Sequence, residues 1–163
     1  MKFVTAAACC LALSGCIAVV PIPLGQPPAT RAVSTAPVQS TAGFTTRINT
    51  FRGDNGAGPL RQSAILTRAA QAHADDMAAR NYFSHQSPGG PNGSTLMART
   101  RAAGCNLRAV AENIAQGQRS EAEVLTAWAN SPGHRRNMLK GNMTDYGFGR
   151  AGDIWVLVLT SGC

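Results

Sequence analysis

The chain carries no P-loop, no Cys-x-x-Cys pair and no internal repeat. These absences exclude a glycine-rich phosphate cradle, a thioredoxin-type dithiol and a solenoid. Acids are scarce, eight against fifteen Lys and Arg, and the formal charge is +7. A basic surplus suggests nucleic acid as a partner, but the arginines are scattered from Arg31 to Arg150 with no cluster and no interleaved aromatics. Nucleic-acid binding is therefore not expected, and the charge serves solubility or attraction to anionic lipid or wall polymer. No apolar run is long enough to remain as a membrane span. At 163 residues the chain can build one domain and not two ordinary ones.

The front end has its own logic. Lys2 is followed by an apolar run from Phe3 to Leu13 and by Leu13-Ser14-Gly15-Cys16, the layout of a secretory signal. Its last four residues resemble a bacterial lipobox, which implies removal of residues 1–15 and lipidation of Cys16. Cleavage would remove Lys2 and no acid, leaving a charge of +6. Residues 16–43 continue as a stretch rich in Pro, Ala, Thr, Ser, Val and Gln, with Arg31 its one charge. Such a segment cannot bury enough apolar surface to offset its ordering entropy, so it reads as a tether between membrane and domain. Export leads to an oxidising compartment, where Cys105 and Cys163, the cysteines left over, are expected to pair rather than stay free.

In the domain over 44–163, Phe44, Ile48 and Phe51 recur at helical spacing, and Gly53 to Pro59 ends that helix. A longer helix is predicted over 63–81, capped by Ser63, with Leu66, Ala70, His73 and Met77 on one stripe. A stripe position points inward, so His73 reads as a packed core histidine. His85 opens a turn-rich loop, where a polar side chain can meet solvent or a ligand. A third helix is predicted over 94–103, with Leu96 and Met97 inward and Gly104 as its stop. Residues 110–115 read as extended, with Glu112 serving either as a site group or as a structural acceptor. A fourth helix over 120–130 has Val124, Leu125 and Trp128 inward, and Glu121 and Glu123 in a solvated first turn that offsets the helix dipole. Ser131-Pro132 then starts another helix and places His134 in its first turn, where the dipole disfavours the imidazolium. At the end, 146–150 and the fully apolar 154–160 form a hairpin buried between helices.

The segments Ala70-Gln71-Ala72-His73-Ala74-Asp75-Asp76-Met77, Tyr82-Phe83-Ser84-His85, Ala111-Glu112-Asn113-Ile114, Trp128-Ala129-Asn130-Ser131-Pro132-Gly133-His134-Arg135-Arg136-Asn137 and Tyr146-Gly147-Phe148-Gly149 stand in that order over the whole domain. Together they resemble the CAP superfamily of cysteine-rich secretory, antigen 5 and pathogenesis-related 1 proteins, in its bacterial SCP-like branch. The resemblance implies an α+β fold, a three-layer α-β-α sandwich with a small central antiparallel sheet. It implies a cleft holding His85, His134 and Glu112, which in some family members binds a divalent metal, often zinc. The family's second glutamate stands three residues after the tryptophan of the fourth helix; here that position is Ser131, so a catalytic carboxylate pair is not expected.

Two functions follow from these expectations. One is an anchored binding module, a monomer whose cleft captures a lipid, sterol, peptide or wall fragment. The other is a zinc-dependent hydrolase of the cell envelope, with His85 and His134 holding zinc and Glu112, its candidate catalytic group, activating water or steadying an imidazole. Turnover, metal and ligand are left open by the residues themselves.

Overall fold

The computed structural model describes residues 42–90 and 92–163. The expected signal at 1–15, the lipidated Cys16 and the tether as far as residue 41 lie outside the described residues. The domain opens with helix α1 (Ala42–Asp54), then β1 (Arg61–Gln62), α2 (Ala64–Ala79), α3 (Leu96–Ala102), β2 (Val110–Gln116), α4 (Glu121–Asn130), α5 (Pro132–Met138), β3 (Asp145–Ala151) and β4 (Ile154–Thr160).

The sheet runs in the order β1-β3-β4-β2. Strands β2, β3 and β4 pair antiparallel as expected, and the two-residue β1 adds a parallel edge beside β3. That parallel edge is a departure from the predicted antiparallel sheet. It forms because the chain passes β3 on its way into α2: Arg61 N–H donates to Thr144 O and Ser63 N–H to Tyr146 O.

Strand β4 is buried at every position, and its period-2 alternation supplies both halves of the core. Trp155, Leu157 and Leu159 face one cluster with Phe44, Ile48, Val124, Trp128 and Phe148. Ile154, Val156 and Val158 face the other with Leu66, Ala70, Ala74 and Met77. This two-sided burial is what makes the domain a three-layer α-β-α sandwich. Strand β3 divides the same way. Phe148 stacks on Phe44 at 3.8 Å, while Gly147 and Gly149 let α2 lie directly on the strand. A Cβ at Gly147 would stand 2.0 Å from the Leu66 carbonyl carbon, and one at Gly149 2.4 Å from the Gln71 nitrogen.

The remaining elements follow their local signals. Ser63 caps α2 by accepting from Leu66 N–H, and Ser120 caps α4 by accepting from Glu123 N–H. Gly104 stops α3 with φ of 99°. Cys105 and Cys163 form the expected disulfide. Strand β2 lies at the sheet's far edge, and helices close that edge. Trp128 Nε1–H donates to Ile114 O at 3.3 Å and the Asn137 amide donates to Glu112 O at 3.2 Å, so neither carbonyl is left as an open strand edge.

Two expectations about helix faces are corrected. In α3 Leu96 and Met97 do pack against the core but are only half-buried, and the most deeply buried residues are Arg99 and Thr100. The short helix turns a guanidinium inward beside these apolar side chains, because the Glu112 carboxylate waits there. Glu121 is half-buried rather than on a solvated face, and that burial raises its carboxyl above the usual range despite Arg47 and Arg150 nearby.

Candidate functional site

Glu112 lies in the middle of β2, whose alternation sends it to the same side as Ile114, toward α2 and α3. Its side chain is 2% exposed, so its charge must be answered by partners. Both oxygens have one. Oε1 accepts from His85 Nδ1–H at 2.9 Å, and Oε2 accepts from Arg99 Nη2–H at 2.9 Å. The same Arg99 nitrogen donates to the His85 main-chain carbonyl at 3.1 Å. Glu112 and Arg99 thus hold His85 by its ring and by its backbone. A carboxylate acceptor on Nδ1 fixes the tautomer, leaving Nε2 of a side chain 56% exposed as the outward ring nitrogen.

The loop that delivers His85 is tied at two further points. His73 is buried as the stripe predicted, and its Nε2–H donates to Ser84 O at 3.0 Å. Nδ1 is left as an unpaired lone pair. Burial lowers the pKa of His73 against the opposing pull of Glu112, whose Oε1 is 4.0 Å away. His73 is therefore a neutral support beneath the site. Asp76 takes hydrogen bonds from Ser87, Tyr82 and Arg80. Burial acts to raise its pKa, but those donors together overcome it and hold the carboxyl below its ordinary value.

His134 arrives on the other wall. Ser131 and Pro132 start α5 as predicted, although the Ser131 hydroxyl makes no capping bond. Buried Asn113 donates to the His134 carbonyl at 3.1 Å, and Asn137 donates to Asn113 Oδ1 at 3.0 Å. This asparagine pair docks α5 on β2. The far end of α5 is held by Arg52, wholly buried in α1, which donates to the carbonyls of Gly58, Met138, Lys140 and Met143. The pKa of His134 is lowered as expected, yet the leading cause is burial, followed by the neighbouring His85, rather than the helix dipole.

The walls enclose an open depression of about 790 Å³, lined by His85, Glu112, His134, Arg136, Asn137 and Lys140 among others. His85, Glu112 and His134 are therefore in one place. Ser131 sits half-exposed at the α4–α5 junction and does not line the depression.

A metal held by His85, His134 and Glu112 does not fit the residues as they stand. Both Glu112 oxygens are engaged, and among the described residues no group of three or more His, Cys, Asp or Glu could hold a metal ion. Two imidazoles remain, short of the three protein ligands of a catalytic zinc site, and no step below is routed through a metal.

Sequence reasoning missed Arg99. Its signal was present, since Leu96, Arg99, Thr100 and Ala103 fall at one helical stripe, and a charge on such a stripe calls for a buried partner.

Comparison with known proteins agrees with this fold. Residues 45–156 match the model of CAP, the cysteine-rich secretory protein family. The chain is 39% identical over 109 residues to the uncharacterized protein YkwD of Bacillus subtilis (strain 168), covering 66% of this chain and 41% of that protein. Its fold matches an extracellular protein containing a SCP domain from Bacillus anthracis str. Ames with a TM-score of 0.67 and 29% identity, over 73% of this chain and 40% of that one. It also matches an outer surface protein from Borrelia burgdorferi with a TM-score of 0.67, over 76% of this chain and 92% of that one, where 20% identity speaks for the fold alone. The chain spans about two fifths of the two Bacillus proteins. With the family model spanning residues 45–156, most of the domain, the chain belongs to the cysteine-rich secretory protein (CAP) family.

Proposed function

We propose that the protein is an exported, membrane-anchored CAP domain whose cleft between His85 and His134 binds a small ligand. One observation carries the reading. Among the described residues the depression presents imidazole, amide and cationic groups but no hydroxyl or thiol nucleophile, and the one carboxylate lining it is already committed to Arg99 and His85. That is a set of recognition groups on rigid supports. Export is supported by the signal-like first fifteen residues. The matched protein of Bacillus anthracis, described as extracellular, points the same way. Anchoring rests on Leu13-Ser14-Gly15-Cys16 and is tested by palmitate labelling, which must disappear in Cys16→Ala.

Binding is tested on the full chain by thermal shift and NMR titration with lipids, peptides and wall sugars, beside His85→Ala/His134→Ala. A ligand that stabilises wild type and the double variant equally does not use this cleft, and that result overturns the reading.

A hydrolytic reading retains one observation in its favour. A histidine whose Nδ1–H is held by a buried carboxylate presents Nε2 as a base, and with no side-chain nucleophile in the lining the attacking group would be water. Activity toward peptide or wall substrates that disappears in Glu112→Gln, with folding retained, would favour it over simple binding.

A further inference from the structure

The charge balance of the depression goes further than its shape. Glu112 is the one carboxylate that lines it, and Arg99, 5% exposed and 2.9 Å away, neutralises it from beneath. The site's acid therefore offers a ligand almost no negative field. The rim is cationic. Arg136 and Lys140 are exposed, and among the described residues their side chains have no hydrogen bond or ion pair with the protein. Arg135 also lines the depression, but is engaged elsewhere. Its guanidinium lies 5.1 Å from the Phe51 ring centre and donates to Asn55 Oδ1 at 2.5 Å. Two unengaged cations thus stand over a concave floor that holds two imidazoles, an arrangement that concentrates positive potential inside it.

We infer that the cleft takes an anionic ligand, a phosphate ester whose oxygens are met by Arg136 and Lys140 at the rim and by the imidazoles of His85 and His134 within. The inference rests on the binding reading above and narrows it to a substrate class. Phosphate suits the donor set because it offers several strong acceptor oxygens to groups converging from different sides, and a guanidinium and an ammonium are its usual partners. His85 is suited to the same task. Its Nδ1–H is held by Glu112, so Nε2 is the ring nitrogen that faces the ligand, where it can accept from the hydroxyl of a singly protonated phosphate ester. The ester could be a free soluble compound or a lipid headgroup, since both present the same group.

The test uses the 15N-labelled full chain at low salt. Glycerol 3-phosphate and inorganic phosphate are the anionic probes, glycerol and N-acetylglucosamine the neutral ones, and vesicles of phosphatidylglycerol or phosphatidylcholine the lipid arms. We expect glycerol 3-phosphate, and not glycerol, to shift the His85, His134 and Asn137 signals saturably. Arg136→Gln/Lys140→Gln should weaken that binding by roughly tenfold, and added salt should weaken it further, while the melting curve stays that of wild type. Competition by phosphatidylglycerol vesicles identifies the headgroup as the source, and absence of competition identifies a soluble ester. If N-acetylglucosamine moves these signals and the phosphate ester does not, the anion inference falls while the binding reading stands. Unchanged affinity in Arg136→Gln/Lys140→Gln, or phosphate shifts confined to residues outside the depression, overturns it as well. Silence from every probe counts against both.

Discussion

Replacing Arg99 with leucine should remove a large part of the domain's stability, because the residue answers a charge buried in the sheet. In the native protein Arg99 and Glu112 meet at 2.9 Å with side chains 5% and 2% exposed. Leucine removes the cation and leaves the carboxylate with His85 alone. It also strands the His85 carbonyl, which loses its donor at 3.1 Å. Breaking one side of a buried ion pair costs about 3–5 kcal/mol, against a total stability of about 5–15 kcal/mol for a domain of ordinary size. The midpoint of urea unfolding should drop accordingly, with the slope unchanged. Arg99→Leu/Glu112→Leu is the decisive comparison, because it removes the orphaned charge along with its partner. The double variant should regain a large part of the loss, giving a coupling of about 2 kcal/mol or more. A single variant costing less than about 1 kcal/mol, or additive effects in the cycle, would refute the claim that Arg99 answers the buried charge of Glu112.

Gly147→Ala places a methyl group 2.0 Å from the Leu66 carbonyl carbon. Since the obstacle is helix backbone, the variant should lose about 3 kcal/mol in chemical denaturation, and wild-type stability would show that α2 can move away from the sheet. His73 and His134 both have pKa values lowered from 6.5 in the folded state, so the unfolded chain binds their protons first. Their contribution is fully present above about pH 6.5 and is lost as pH falls below it. Glu121, raised from 4.5, works in the opposite sense at lower pH. Unfolding midpoints at pH 7.5 and 5.5 should therefore decrease in that order, and a flat profile would contradict the assignment of buried neutral imidazoles. Cys105→Ala/Cys163→Ala opens a loop with a separation of 58 residues and should cost about 4 kcal/mol on the chain-entropy account, read as a drop in the denaturation midpoint.

Much of the architecture is legible in local sequence because local physics sets it. Ser63 and Ser120 announce their helices by capping, Gly104 announces a stop, and the apolar run 154–160 announces a strand buried on both faces. The glycines of Tyr146-Gly147-Phe148-Gly149 take their meaning only from α2 lying across them, so the motif could be recognised but its cause could not. The site divides along the same line. His85, Glu112 and His134 are grouped by the family's pattern, and all three line the depression. Their roles are set by residues far away in sequence. Arg99 converts Glu112 from an available acid into a held one, Asn113 and Asn137 dock the helix bearing His134, and Arg52 holds the end of that helix from α1. Polar pairs of this kind have no period, and a buried cation leaves only the small anomaly of a charge on an inward stripe. The carbonyl partners of Arg52 leave no trace at all, because every residue carries a carbonyl.

In the proposed site Glu112 is spent inside the protein on His85 and Arg99, so that imidazoles rather than an acid face the ligand. The tautomers of the three histidines report this directly. Long-range 15N–1H correlation spectra, recorded where the rings are neutral, should show His85 protonated at Nδ1 and open at Nε2. His73 should show the reverse, protonated at Nε2, where it donates to Ser84 O. A His85 ring protonated at Nε2 with a bare Nδ1 could not donate to Glu112, and that result would contradict the arrangement on which the site and its proposed ligand rest.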